Sequence, residues 1–519
     1  MLSRRQIAAT LFTVLIGIFY FRSSQPIPPP ISGRKDVVLF ISESSLGLAN
    51  APLAAAESLL ERHPSVEVHY ASFERLKSRV ERMSITATAH NKAAHPITWH
   101  EIPYEDMAIG VLKKWGNMTG FITPPGLAGV DEFMDVIELL MAPLDIDDHW
   151  KIYHYLTQVI TEVDPGVIVI DTVFRPAIEV TEDLNRKRII LSPNGLDTLP
   201  QKQPWLSMLW KYPELGSGLP YPMAWSQVPE NTYLIYRKIR KVLFSPWLNA
   251  RREYLKGKGI KNPIDAAAMY PAGVPWLTMS FPEASIPMLT IPKDVVSCGP
   301  VILDLEPAEK QDPELAKWLS QAPTILVNLG SMYVFTEEKA KALVHSFFPV
   351  FEKTDAQILF KIKKVNDFND SYLEPLKQYI DNGRLRVESW IATDIASILL
   401  TGNVVVSVHH AGSNLYHETI LAGVPHVVLP QWFDCYNIAA SAEYLGIGVW
   451  PGRNMTPEWD SAIIGEAIVQ VMGDETMRQK AQDLGKVART YGGQKMAADI
   501  IAKAAAEDET VQKADESDL

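Results

Sequence analysis

Short apolar runs alternate with amphipathic stretches from residue 36 to about residue 506. That alternation predicts strands and helices in turn. Residues 37–41 (VVLFI) read as a buried strand, 51–63 as a helix and 66–71 as a second strand. Residues 167–170 (VIVI) run into Asp171; a helix follows over 177–185 and a strand over 188–191. The second half repeats the scheme. A strand at 324–329 leads into Gly330-Ser331, a helix lies near 337–351 and a strand at 357–362. Strands at 404–408 and 427–429 flank a short helix. This order predicts mostly parallel sheets covered by helices. Residues 300–322, rich in Pro, Asp, Glu and Gln, separate the halves. The expected fold is α/β: two doubly wound Rossmann-like domains, 36–305 and 306–506, facing a cleft, with ligands at the carboxyl ends of the strands.

The ends break the pattern. Residues 7–21 (IAATLFTVLIGIFYF) are uncharged and flanked by arginines. As a helix they would span about 22 Å against a hydrocarbon core of about 30 Å. No small-x-small cleavage site follows, so the stretch reads as an uncleaved single-pass anchor of the endoplasmic reticulum type rather than a signal peptide. The proline-rich residues 26–30 then form a stiff spacer, giving a unit over 1–35. Residues 507–519 are acidic and read as a disordered tail. Residues 204–247 interleave tryptophan, proline and tyrosine. They suit an irregular aromatic connector, the wall of an apolar acceptor pocket or a membrane-facing surface.

Composition narrows the function. Apolar residues make up 47% and charged residues 21% of the 519, which is ordinary for globular domains. The formal net charge of −12 disfavours binding to nucleic acid. Two cysteines, Cys298 and Cys435, cannot build a disulfide framework or a cysteine-based zinc site. Three sequons, at Asn117, Asn369 and Asn454, would carry sugar only if the domains face a lumen.

The chemistry concentrates in residues 409–450. After the strand at 404–408, His410-Ala411-Gly412-Ser413-Asn414 forms a tight loop of small residues that opens a helix. Unpaired amides and positive dipole at a helix start suit an anion. His410 stands where an imidazole can donate to a pyrophosphate. Asn414 and Glu418 share a helix face, and a carboxylate one turn in can accept both hydroxyls of a ribose. Asp434, in the next strand–helix loop, can accept sugar hydroxyls.

This run resembles the signature of family 1 UDP-glycosyltransferases, enzymes of the two-Rossmann-domain GT-B architecture, with fungal members closest. His410, Gly412, Asn414, Glu418, Gly423-Val424-Pro425, Pro430 and Asp434 match in register. Glu388-Ser389-Trp390 resembles the strand end whose tryptophan stacks on uracil, and Ser331 belongs to a Gly-Ser loop like the one that touches the phosphates. The resemblance implies a UDP-sugar as co-substrate, no metal and no other cofactor. Its departures are Ala411 for a glycine, Leu415 for a serine and Cys435 for a glutamine. The family's catalytic histidine falls at Leu48, which cannot take a proton. Asp171 matches the aspartate that orients that histidine. Without the histidine, Asp171 or Glu43 is expected to act on the acceptor, with His95 and His100 as outside candidates. Asp145-Ile146-Asp147 fits the metal-binding string of the other large transferase class, but it falls between helices and reads as a solvated loop.

The implied activity is inverting, metal-independent transfer of a hexose, glucose by default, to a hydroxyl of a small lipophilic acceptor such as a secondary metabolite, sterol or lipid. The alternative is a catalytically impaired nucleotide-sugar-binding protein or partner subunit, which Leu48 favours.

Overall fold

The computed structural model describes residues 29–196, 202–204, 206–304, 306–366 and 368–507. Two wholly parallel sheets form it. The first has the order β3-β2-β1-β4-β5-β6-β7 and the second β10-β9-β8-β11-β12-β13. In the first, β1 (Arg34–Ile41), β2 (Glu67–Ser72), β4 (Pro165–Ile170) and β5 (Arg188–Ser192) lie at the predicted runs. Strands β3 (Thr98–Glu101), β6 (Trp276–Thr278) and β7 (Val295–Ser297) extend it at both edges. In the second, β8 (Thr324–Asn328), β9 (Gln357–Lys361), β11 (Val404–His409) and β12 (His426–Val428) match, while β10 (Leu385–Glu388) and β13 (Gly448–Val449) are short edge additions. The central strands are apolar on both faces because helices cover both faces: Val38, Leu39, Phe40 and Ile41 are all fully buried.

The helices that carry or cover the cleft residues are α1 (Leu46–Arg62), α2 (Glu74–His90), α3 (Val130–Met141), α4 (Arg175–Asp183), α5 (Val228–Phe244), α6 (Ser413–Ala422), α7 (Phe433–Leu445) and α8 (Gly493–Ala506). Gly423 stops α6 as expected, in the left-handed region at φ 73°. The last helix departs from the predicted division. Ala497, Ala498, Ile501, Ala502 and Ala505 of α8 share a core with Ala49, Leu53 and Ala56 of α1 and with Val38 and Val167 beneath. Segment 493–506, expected in the second unit, therefore covers the first sheet. Small side chains on both helices let their backbones approach closely.

Some expectations for the ends change. Within the predicted unit 1–35, the Ile31 amide donates to the Asn185 carbonyl at 2.7 Å, so the first unit begins before residue 36. The single-pass membrane assignment is corrected: among the described residues no helix is long and apolar enough to cross a membrane. The stretch 7–21 that suggested the anchor, and the tail beyond Glu507, lie outside the described residues.

Candidate active site

Strand order reverses between β1 and β4 in the first sheet and between β8 and β11 in the second. Chain leaving neighbouring strands at such a switch point turns to opposite faces and opens a crevice. The two crevices face each other and merge into a cavity of about 1380 Å³. Its lining includes Leu46-Gly47-Leu48 after β1, Val173 and Arg175 after β4, Gly330-Ser331 after β8, and His410 and Gly412 to Asn414 after β11. Single-ligand pockets run to about 1,000 Å³, so this space suits two substrates together.

The second-unit wall contains every expected donor-side residue: Ser331, Trp390, His410, Gly412, Asn414, Glu418 and Asp434. The His410 ring lies between two glycines. A Cβ on Gly330 would stand 2.5 Å from it, and one on Gly412 2.6 Å. This packing explains the glycines in a way that backbone freedom alone does not. Burial, with Lys361 nearby, pushes His410 down to about 3, so its imidazole is neutral and carries one N–H. Its Nδ1 has no hydrogen-bond partner. Ala411, where the family has glycine, sits in the left-handed region at φ 64°. The loop thus stores strain of the order of 1 kcal/mol.

Trp390 is 49% exposed, a large apolar face left open beside the cavity. Glu418 is half-buried on α6, and burial with Asp394 nearby pushes it up to about 7. Asn414 donates to the carbonyl of Leu46 at 3.2 Å, which ties α6 to the loop after β1. Asp434 lies in the first turn of α7. Cys435, in the family's glutamine position, is fully buried in the core behind the wall.

Sequence reasoning missed Lys361. It ends β9, is 6% exposed and lines the cavity. Its ammonium donates to the Gly330 carbonyl at 2.8 Å and lies 4.5 Å from the centre of the Trp390 ring. No carboxylate pairs with it within 4 Å among the described residues, and its in-register neighbour Glu388 bonds Arg386 at 2.7 Å instead. Burial, then Lys363, pushes it down to about 8. A lysine directly after the apolar run Ile358-Leu359-Phe360 was the available signal.

Glu43 and Asp171 are the residues expected to act on the acceptor. The structure brings them together, but away from the cavity lining. Asp171 is fully buried; its Oδ2 accepts the Glu43 amide at 2.8 Å and its Oδ1 those of Val173 and Phe174 at 2.8 and 2.7 Å. Glu43 accepts the amides of Met107 at 2.6 Å and Ser45 at 3.0 Å. Both carboxylates brace the loops that shape the rim. His100 contacts His69 at 2.8 Å, and neither it nor His95 lines the cavity. Replacing Asp171 by asparagine turns one acceptor oxygen into a donor facing an amide. The expected loss is about 1–3 kcal/mol of stability, read from the midpoint of a chemical denaturation curve.

The aspartate pair at 145 and 147 is a helix start: the Asp145 side chain accepts the Asp147 amide at 2.9 Å. In the tryptophan-rich segment, α5 supplies the cavity wall through Lys238, Ile239, Val242 and Leu243, with Met208 and Leu215. Trp210 and Trp225 instead stack on each other at 6.1 Å, away from it.

Glycosyltransferase sdnJ of Sordaria araneosa is 30% identical to this chain over 510 residues, covering 90% of this chain and 98% of that protein. The chain belongs to the family 1 UDP-glycosyltransferases. A family profile described as "Erythromycin biosynthesis protein CIII-like, C-terminal domain" matches residues 375–503 of this glycosyltransferase, which include the whole His410–Asp434 run. Cyanidin-3-O-glucoside 2-O-glucuronosyltransferase of Bellis perennis is 23% identical over 207 residues, 38% of this chain and 45% of its own. The fold of the glycosyltransferase is similar to that of the solved glycotransferase of kitacinnamycin, with TM-score 0.60, 18% identity, and coverage of 92% of this chain and 100% of that one. Calicheamicin glycosyltransferase CalG4 is similar with TM-score 0.56 and 15% identity, covering 91% and 98% of the two chains.

Proposed function

We propose that this glycosyltransferase moves a hexose from a UDP-sugar to a hydroxyl of a small lipophilic acceptor, with inversion at the anomeric carbon and without a metal. The observation that supports this most is the division of one cavity. Its second-unit end presents a half-exposed tryptophan, a carboxylate, a neutral histidine and a helix start; its first-unit end is mainly apolar, although Arg79, Arg82, Arg175 and the Lys238–Glu214 pair also line it. Uracil stacks on Trp390 and the ribose hydroxyls donate to Glu418. The diphosphate meets the start of α6, His410 and Ser331.

The acceptor oxygen attacks the anomeric carbon as the bond to the diphosphate breaks. Negative charge grows on the leaving group, so donors already aimed there lower the barrier. Leu48 stands on the rim where the family has its histidine, and Glu43 and Asp171 are committed to backbone amides. The acceptor proton therefore passes to water in the cavity, and leaving-group stabilisation carries more of the catalysis.

Lys361 supplies positive charge on the diphosphate side. Replacing it by methionine is expected to weaken UDP binding about tenfold, the scale of one charge-assisted bond, while uridine binding stays unchanged. Parallel calorimetric titrations would read the difference.

The reading itself is tested by thermal shift with UDP-glucose and UDP. At a hundred times its dissociation constant, a ligand should add about 2.7 kcal/mol. A shift with UDP but not UDP-glucose would mean another donor sugar. No shift with either would remove the reading.

A further inference from the structure

We infer that the acceptor is a lipophilic acid and that Arg175 holds its carboxylate at the apolar end of the cavity. This rests on the transfer reading above and adds the acceptor's chemical class.

Arg175 is the first residue of α4, four positions after Asp171, and it lines the cavity while only 3% exposed. Its surroundings there are apolar: Ile137 and Met141 of α3, Val242 and Leu243 of α5, and Met269. A guanidinium offers five N–H groups. Arg175 makes two bonds, from Nη1 to the Asp265 carbonyl at 3.1 Å and from Nη2 to the Met141 sulfur at 3.1 Å. The second acceptor is a thioether, which is weak. The Nε–H has no partner.

No carboxylate lies within 4 Å of this guanidinium among the described residues. The acidic groups that act on it from further off are committed elsewhere. Glu179 accepts the Ile264 amide at 2.8 Å and pairs with His149 at 2.7 Å. Glu182 pairs with Arg188 at 2.8 Å, and Asp265 accepts the Ala267 amide at 3.0 Å. The cavity's neighbouring cation differs: Lys238 is paired with Glu214.

A buried arginine cannot relieve its burial by giving up a proton, since its affinity for that proton is too high. Its position makes matters worse, because a cation in the first turn opposes the helix dipole. Packing alone would be served as well by leucine or methionine. What the guanidinium adds is a planar fork that fits a carboxylate with two parallel bonds. The place suits the reaction too. The Glu43 amide bonds Asp171, so the loops after β1 and β4 adjoin, and Arg175 and Leu48 belong to neighbouring parts of one rim. An acid anchored at Arg175 lays its hydrocarbon against the α3 and α5 side chains.

The test compares 2-naphthoate with 2-naphthalenemethanol, equal in shape and different in charge, by titration into the full chain in the presence of UDP. The naphthoate is expected to bind at least tenfold more tightly. Arg175→Met should abolish that preference while retaining the UDP thermal shift; Arg175→Lys, which keeps the charge without the fork, should retain only part of it. Equal affinities, no binding of either probe, or a preference that survives in Arg175→Met would overturn the inference. If Arg175→Met does not fold, the wild-type comparison and Arg175→Lys decide. Naphthoate preference without any UDP shift in wild type would instead remove the transfer reading and leave the anion site standing.

Discussion

Replacing His410 by alanine is expected to lower kcat about 10²–10³-fold, the usual cost of losing one donor aimed at developing charge. The imidazole is buried, neutral and held between Gly330 and Gly412, with Trp432 at 5.0 Å. A donor fixed in this way needs no reorganisation as the leaving diphosphate gains charge, so the loss falls on kcat more than on KM. His410→Gln, which keeps an N–H at similar reach, should recover part of it. Because burial holds the ring's proton affinity near pH 3, His410 stays neutral throughout the neutral range. The kcat profile between pH 5 and 9 should therefore show no limb that disappears in His410→Gln. Steady-state rates across that range, with UDP release as the readout, check both statements.

Glu418→Ala is expected to weaken UDP-glucose binding about 100-fold, the combined scale of two charge-assisted bonds to ribose hydroxyls after allowing for relief of a buried carboxylate. The pH dependence gives a sharper signature. Burial, then Asp394, raises the carboxyl to about 7 in the unliganded protein. In the proposed function its ionised form accepts the ribose hydroxyls. Below pH 7 the proton competes with the ligand, so affinity should fall as pH falls, by up to tenfold per unit. Above pH 7 the affinity should level off. Glu418→Gln should give a weak, flat profile over the same range. The same shift bears on unliganded stability with the opposite sign. The folded carboxyl binds its proton more tightly than the unfolded one, so its contribution is complete below the unfolded value and is lost as pH rises through about 7. Calorimetric titration with UDP-glucose, which carries no phosphate group titrating near neutrality, separates the protein's proton from the ligand's.

The two-sheet plan was legible because eight central strands are apolar on both faces and long enough to stand out between amphipathic helices. The edges were not. Strand β13 is two residues long, and β3, Thr98–Glu101, is half-polar because one side of it meets solvent. Their existence depends on a neighbour already in place, which no local pattern records. Part of the second-unit wall was legible because His410, Gly412, Asn414 and Glu418 fall at fixed spacing within one strand–loop–helix unit. Lys361 was not, since its meaning comes from Gly330 and Trp390, which are remote in sequence. The packing of Asp171 and Glu43 was not legible for a related reason. A carboxylate at a strand end looks the same in sequence whether it faces substrate or three amides, and only packing separates the two. The division at residue 305 also missed α8. That helix is rich in alanine and suits either sheet, and its place is decided by the matching small residues of α1.

That return of α8 has a bearing on biosynthesis. Strand β1 and α1 are made well before the helix that completes their core, Gly493–Ala506. At about 5–20 residues per second, the alanine-lined face of α1 waits on the order of tens of seconds for its partner. During that interval it is a sticky surface in a crowded compartment, a natural target for chaperones. Final consolidation of the first unit thus waits for α8, and nascent chains halted before α8 emerges should be far more sensitive to protease in the first unit than chains in which it has emerged.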